Sequence, residues 1–526
     1  MARIIQTQTL DPKETLSQMD NDWIYNGLDC CVTLEIEKEL KEQCDETSEK
    51  IYQRSLSLQA PVLEMSLRGI KIDQNKRDET LLELQRQIVR LEEQFYFILE
   101  NGLGITINRK LKTKYWRSTK NLCDLFYHTL ELKPILKRNQ TGKYMPTVDE
   151  EALEKLAVNF YAEPLCNHLL VLRDYDKQRQ FLETEIDEDG RMRAGWNIAG
   201  TNTGRFSCNE SAFKTGRNQQ NIDKRLREPF VADEGYKLGN IDLEQADARN
   251  VGAVCWQLFV NEHGEKFAGK FLDYCESGDL HTKVCEMGWP ELEWTTDEKQ
   301  NRKIADHIAE RAFSYRDLAK KLGHGSNYQG IVNVANSTKL PMAQVLDFQK
   351  KYYSGFPTIP LWHDWVANQL KTMGYITTLM GRRRYFFGRH DDKNNIRAAV
   401  AFEPQSVTGD ILNEGLINLF RSGLVQILAQ VHDSILFQYP IEQEDEIIPQ
   451  CIDAMTIPII LEKGREFIVP VEAKIGWNWG DRKHNYDTGK IDNEYGLKNW
   501  DASQSDDRTA PSLKKKKRLN LFRDLV

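Results

Sequence analysis

The chain has 526 residues, of which 40% are hydrophobic and 10% aromatic, a profile that excludes disordered and fibrous classes and leaves interior enough for several cores. A formal net charge of −8 excludes a uniformly basic nucleic-acid binder, although local basic surfaces remain open. Ten Cys occur without a CxxC pair or a regular Cys/His spacing, which argues against a disulfide framework and a structural zinc site. Reduced thiols are the expectation. No apolar run approaches the roughly 20 residues of a membrane span, and the opening MARIIQTQTLDPKE places Pro and acids where a signal peptide carries its apolar segment. A cytoplasmic location is expected, in the host cytoplasm if the protein is viral, without membrane association.

In chain order, ETLLELQRQIVRLEEQFYFILEN at 78–100 spaces its aliphatic residues at helical intervals between charges and predicts a long amphipathic helix. The chain turns at NGLG, and a second helical zone covers about 149–185. The turn DEDGR then introduces RMRAGWNIAG and TNTGRFS. YKLGNID at 236–242 predicts a buried strand. A mostly helical block follows from about 255 to 380, and VQILAQVHDSILF at 425–437 predicts one continuous buried strand. Basic clusters stand at 224–228, 381–389 and 513–518. The last 30 or so residues, polar with Pro and Ser, have the composition of a tail or linker.

Two acids are placed oddly. Asp433 follows His432 in the middle of the apolar run 425–437, and Asp242 ends the run 236–242 ahead of Glu244, Asp247 and Arg249. Burying an unpaired carboxylate costs several kcal/mol, and a metal ion is the natural compensation. No Gly or Pro near Asp433 signals a turn. Hard carboxylate oxygens suit Mg²⁺, and two ions about 3.5–4 Å apart clamp the attacking and leaving oxygens of a phosphoryl displacement.

RDLAKKLGHGSNYQG at 316–330 resembles a phosphate loop, but its lysines precede its glycines, so the Walker pattern fails. Written as a helix, Arg316, Lys320, His324 and Tyr328 recur every fourth residue and share one face. Guanidinium, ammonium, imidazole and phenol in that order suit a nucleoside triphosphate lying along the helix. The glycines flanking His324 are expected to give clearance for the incoming base and template.

These motifs together resemble family A DNA polymerases, the group of bacterial DNA polymerase I and related phage and mitochondrial enzymes. IDLEQADAR resembles motif A, RDLAKKLGHGSNYQG motif B and QVHDSIL motif C. Support comes from TNTGRFS with NQQNI, GDLHTKV, GRRRYF, IRAAVAFEPQSVTGDI and VEAKIGWNWGD, and the similarity covers roughly residues 20–485. The resemblance implies an α+β right-hand fold. Its expected divisions are an exonuclease-domain remnant at 1–50, thumb at 51–190, palm at 191–258 and 391–490, fingers at 259–390, and a flexible tail at 491–526.

It further implies that Asp242 and Asp433, with the Leu243 carbonyl, bind two Mg²⁺, and that His281, Arg316 and Lys320 contact the triphosphate, Lys320 also assisting the leaving pyrophosphate. Gln245, Asp247, His324 and Tyr328 belong to the nucleotide side; Arg205, Arg397, Gln405 and His432 to primer and template. The expected activity is DNA-templated addition of dNTPs to a primer end, with primer-template DNA and dNTPs as partners. A single-subunit RNA polymerase, opposed by Asp247 and TGRFS, and a non-catalytic replisome DNA-binding protein are the rival readings.

Several positions depart from the family pattern. Asp247 stands where Glu is usual, His324 where Phe or Tyr is usual, Ser434 where Glu is frequent, and Ala401 where Asn is common. Tyr25 and Asp29 in YNGLDCCVTLEI match the last motif of the family's 3′–5′ exonuclease domain, whose earlier acidic motifs are missing. This chain alone is therefore expected not to proofread, and a separate exonuclease subunit is a candidate partner. The run Leu519–Phe522, LNLF, resembles a sliding-clamp docking peptide on a flexible tether.

Overall fold

The computed structural model describes residues 18–109, 113–139, 141–310, 313–328, 330–338, 340–484 and 491–501. The clamp-like run Leu519–Phe522 lies outside them. Helix α1, Gln18–Gln43, buries none of its described side chains. Its apolar residues, including Trp23, Leu28, Val32, Leu34 and Ile36, are exposed and fall on all sides of the helix, so no single stripe forms to dock on the rest of the chain. Tyr25 and Asp29 lie exposed on it.

The helix foreseen at 78–100 is α2, Gln74–Phe97, which begins earlier because Asp73 caps it, accepting from the Asn75 and Lys76 amides. The zone at 149–185 divides into Glu150–Leu156 and α3, Glu163–Leu182, with Pro164 in the first turn of α3. Leu99, Trp116, Phe126, Leu153 and Leu169 form a core around α2 and α3 that is separate from the main one.

The main core surrounds an antiparallel sheet. Strand β1, Tyr236–Leu243, runs through Gln245, whose φ of 51° is left-handed, into α4, Ala246–His263. A helical block follows: α5 Leu280–Gly288, α6 Tyr315–Asn327, α7 Ile331–Thr338, α8 Met342–Gly355 and α9 Thr358–Met373. Helix α10, Lys393–Ser422, carries Pro404 in its interior and buries most of its length. Then come β2 Gln426–Val431, β3 Ser434–Pro440, α11 Glu444–Met455, β4 Val471–Gly476 and β5 Lys498–Asn499. The sheet order is β2-β3-β1-β4-β5, and the register aligns Ser434, Asp242 and Glu472 across three strands. Lys237 of β1 and Glu444 of α11, both buried, pair at 2.8 Å and tie helix to sheet.

Two sequence expectations are corrected. The run 425–437 is not one strand but a hairpin whose two-residue turn is His432–Asp433. His432 adopts a φ of 54°, the left-handed conformation that tight hairpin turns require and that Gly or Asn usually supplies. The sequence offers neither, so the turn is silent there. Residues 491–501 are not tail: β5 pairs with β4, Leu497 is buried, and the Trp500 amide donates to the Ala473 carbonyl at 2.9 Å. The polar composition after 480 hid a short edge strand.

Candidate active site

Asp242 is the penultimate residue of β1 and Asp433 sits in the β2–β3 turn, and antiparallel pairing brings these distant acids together. The Leu243 amide donates to the Asp433 carbonyl at 3.0 Å. Burial, and then the charge of Asp433, push the Asp242 carboxyl up to about 6. Burial likewise raises the Asp433 carboxyl. Among the described residues the Asp242 carboxylate has no hydrogen bond or ion pair. The two half-buried acids repel each other, and Asp242 meets no cation among the described residues; this arrangement fits a divalent ion.

No group of three or more His, Cys, Asp or Glu converges among the described residues. Glu472, opposite Asp242, is engaged by Lys474 at 3.2 Å and Asn499 at 2.6 Å. Two acids with a neighbouring backbone carbonyl leave positions for water and phosphate oxygens, as Mg²⁺ prefers.

Beside the acids, Arg205 places Nη2 3.1 Å from Asp247 Oδ1 and 3.3 Å from Asp433 Oδ1. Thr408 of α10 donates its hydroxyl to Asp247 Oδ1 at 2.8 Å and receives the Asn250 amide at 2.8 Å. The shortened acid at 247 is thus held from two sides. Gln245 leaves its buried Oε1 without a partner among the described residues, and His432 is exposed at the turn.

Helix α6 starts at a capping box, Ser314 and Asp317 exchanging side-chain and backbone hydrogen bonds. Arg316, Lys320 and His324 lie within it, and Tyr328 follows with its amide donating to the His324 carbonyl at 3.2 Å. At one end Arg316 grips Asp279 through two bonds, Nε to Oδ2 at 3.0 Å and Nη2 to Oδ1 at 3.1 Å. Arg302 adds a third at 2.7 Å. Burial opposes ionisation of Asp279, but Arg316, Thr282 and Arg302 hold its carboxyl well below the usual carboxylate range.

His281 is pushed down to about 4 by burial and by the charges of Arg316 and Lys320, so it is a neutral imidazole at pH 7. Lys320 is exposed and makes no ion pair among the described residues. At the other end His324 meets Tyr328 edge-on, ring centroids 4.6 Å apart. Burial, and then the nearby charge of Asp247, raise the Tyr328 phenol well above its ordinary value. The helix therefore runs from a cationic end toward the acids.

The glycines flanking His324 do not open space for a base. A Cβ at Gly325 would come 2.4 Å from Val334 Cγ2 of α7, and one at Gly323 would rest 3.5 Å from the Tyr352 ring of α8. They serve the packing of helices behind the stripe. Arg397 lies exposed on the first turns of α10 with its guanidinium on Asn394 at 2.6 Å, and Gln405 is half-buried further along. No described hydrogen bond joins either to the acids. Sequence reasoning missed Asp279, Arg302 and Thr408. Asp279 could have been found as a helix N-cap, since Asp stands just ahead of LHTKV and accepts from the His281 and Thr282 amides.

The comparisons agree with this geometry. The model of DNA polymerase family A matches residues 75–481. The chain belongs to that family. Similar proteins include the thermostable DNA polymerase I of Thermus thermophilus, 23% identical over 431 residues that cover 78% of this chain and 45% of the relative. The DNA polymerase I of Deinococcus radiodurans is 22% identical over 505 residues, covering 91% of this chain and 48% of the relative. The chain thus spans about half the length of the curated relatives it matches. Among solved structures, the POL domain of Pol1 from M. smegmatis, in complex with DNA primer-template and dNTP, matches at 24% identity with a TM-score of 0.63. That match covers 81% of this chain and 70% of that chain, and the likeness establishes the α+β polymerase fold. No described helix is long and apolar enough to cross a membrane.

Proposed function

We propose that this chain is a DNA-templated DNA polymerase that extends a primer 3′ end with dNTPs. One observation carries the reading: β1 and the β2–β3 turn bring Asp242 and Asp433 together as mutually repelling acids, the Leu243 amide on the Asp433 carbonyl at 3.0 Å. Family members generally use divalent ions, and the finer assignment is two Mg²⁺ held by Asp242, Asp433 and the Leu243 carbonyl. When bound, such ions lower the pKa of the attacking hydroxyl and neutralise the leaving pyrophosphate.

The chain's own residues supply the rest. Arg316, Lys320 and neutral His281 bind the triphosphate, and Lys320, without an acid partner among the described residues, is placed to hold the developing charge on pyrophosphate. His324, Tyr328, Gln245 and Asp247 bound the sugar and base. Arg205, Arg397, Gln405 and His432 meet primer and template, where universal minor-groove acceptors allow any sequence to be copied. In this reading 51–190 is the thumb, 259–390 the fingers, and 191–258 with 391–490 the palm, to whose sheet β5 adds an edge strand. The similar POL domain of Pol1 from M. smegmatis carries primer-template and dNTP, which supports DNA and nucleotides as the partners. Leu519–Phe522 is assigned as a clamp-docking peptide, to be checked by pulldown with Leu521 and Phe522 changed to Ala.

Primer extension with dNTPs against NTPs, using this chain and Asp433→Ala, tests the activity. Extension by dNTPs that disappears in the variant is expected. Extension by NTPs instead points to an RNA polymerase, and none at all to a scaffold.

A further inference from the structure

Arg205 has two demands on it that one guanidinium cannot meet together. In the structure it spans the acids, Nη2 lying 3.1 Å from Asp247 Oδ1 and 3.3 Å from Asp433 Oδ1. Among the described residues it is the cation paired with Asp433. A divalent ion on the same carboxylate would face a positive charge a few ångströms away, and like charges at that separation repel even in water. Arg205 and a metal ion on Asp433 are therefore antagonists.

The surroundings suit an arm that moves. Its backbone is fixed, the Arg205 carbonyl accepting from Thr201 Oγ1 at 2.6 Å. Its stem lies on Gly409 of α10, where an added Cβ would come 3.1 Å from Arg205 Cγ. Its Nε is buried and has no partner among the described residues, so the bridging pose leaves one donor unsatisfied at a cost that another pose can relieve. Asp247 keeps the Thr408 hydroxyl at 2.8 Å whether or not Arg205 stays, so release strands no acid entirely.

We infer that Arg205 is a metal-released latch: without a divalent ion it bridges Asp433 and Asp247, and a cation on Asp433 frees it to engage the primer terminus. The inference rests on the metal site and primer role assigned under the proposed function. It makes metal and primer-terminus binding favour one another, and linkage requires the coupling to be reciprocal.

The test uses the full chain and its Arg205→Met and Arg205→Lys variants, Met keeping the stem that packs on Gly409. Mn²⁺ binding is measured without DNA by electron paramagnetic resonance, and affinity for a dideoxy-terminated primer-template is measured with and without Ca²⁺. Arg205→Met is expected to bind Mn²⁺ roughly three- to tenfold more tightly, since a partly exposed pair and a like charge are removed together. Arg205→Lys, which keeps the charge on a shorter arm, falls between. The gain in primer affinity that Ca²⁺ gives the wild type shrinks in Arg205→Met. Mn²⁺ affinity that is unchanged or weakened in Arg205→Met, while still lost in Asp433→Ala, overturns the latch alone. Mn²⁺ binding that Asp433→Ala leaves intact removes the metal site itself.

Discussion

Glu403 on α10 is only 4% exposed, and its Oε2 has no hydrogen-bond partner among the described residues. Burial, opposed by the Leu379 amide and the Trp362 side chain, raises its carboxyl from the ordinary 4.5 to about 8. Between those values the unfolded chain has released a proton that the folded chain retains. Folding then favours the protonated form, so the native state loses stability as pH rises from about 4.5 and carries the full penalty above about 8. Below 4.5 both states hold the proton and the penalty vanishes. The interval corresponds to roughly 5 kcal/mol as a ceiling. Relaxation and water entry reduce what such sites cost, and about 2 kcal/mol is the expected gain on replacing Glu403 with the isosteric, uncharged Gln. Differential scanning calorimetry of wild type and Glu403→Gln at pH 5.0 and pH 8.5 reads it. The variant should melt a few degrees higher at pH 8.5 and much closer to wild type at pH 5.0. An equal difference at both pH values would refute the argument, because it would trace the change to packing.

Asp242→Asn should lower primer extension by roughly 10³-fold or more with an unchanged far-UV circular dichroism spectrum. Arg316→Lys replaces a two-bond grip on Asp279 by a single point charge; steady-state kinetics should register about a tenfold rise in KM for dNTP. Gly325→Ala should destabilise by about 1–3 kcal/mol through its clash with Val334, whereas Gly323→Ala, meeting only an ordinary contact with Tyr352, should be neutral or gain up to about 1 kcal/mol from helix propensity. Chemical denaturation of the two variants separates them, and similar losses would contradict the packing described. Thr408→Val removes one of the two groups holding Asp247, and competition between a dNTP and its NTP should reveal several-fold more ribonucleotide incorporation.

The chemistry was more legible than the geometry around it. Asp242 and Asp433 stood out because a carboxylate in an apolar run is costly, and Arg316, Lys320 and His324 because four-residue spacing is a direct statement about a helix face. The hairpin was illegible because His432 adopts a left-handed turn without the Gly or Asn that normally announces one. Strand β5 escaped because two residues paired to a sheet edge leave no periodicity. The purpose of Gly323 and Gly325 depended on Val334 and Tyr352, which only tertiary packing brings near. Asp279 was passed over for a similar reason: a capping acid looks the same in sequence whether or not two arginines converge on it.

The two-residue turn that carries Asp433 makes chain length at this point matter more than residue identity. Side chains along β2 and β3 alternate faces, and the pairing of Ser434 with Asp242 fixes which residue reaches the acid on β1. One residue inserted or deleted between Gln430 and Ile435 would invert the outlook of everything beyond it and turn the acid away while every residue type was retained. Homologues and engineered libraries should accordingly tolerate exchanges at His432 or Ser434 far better than any change in the number of residues between the strands.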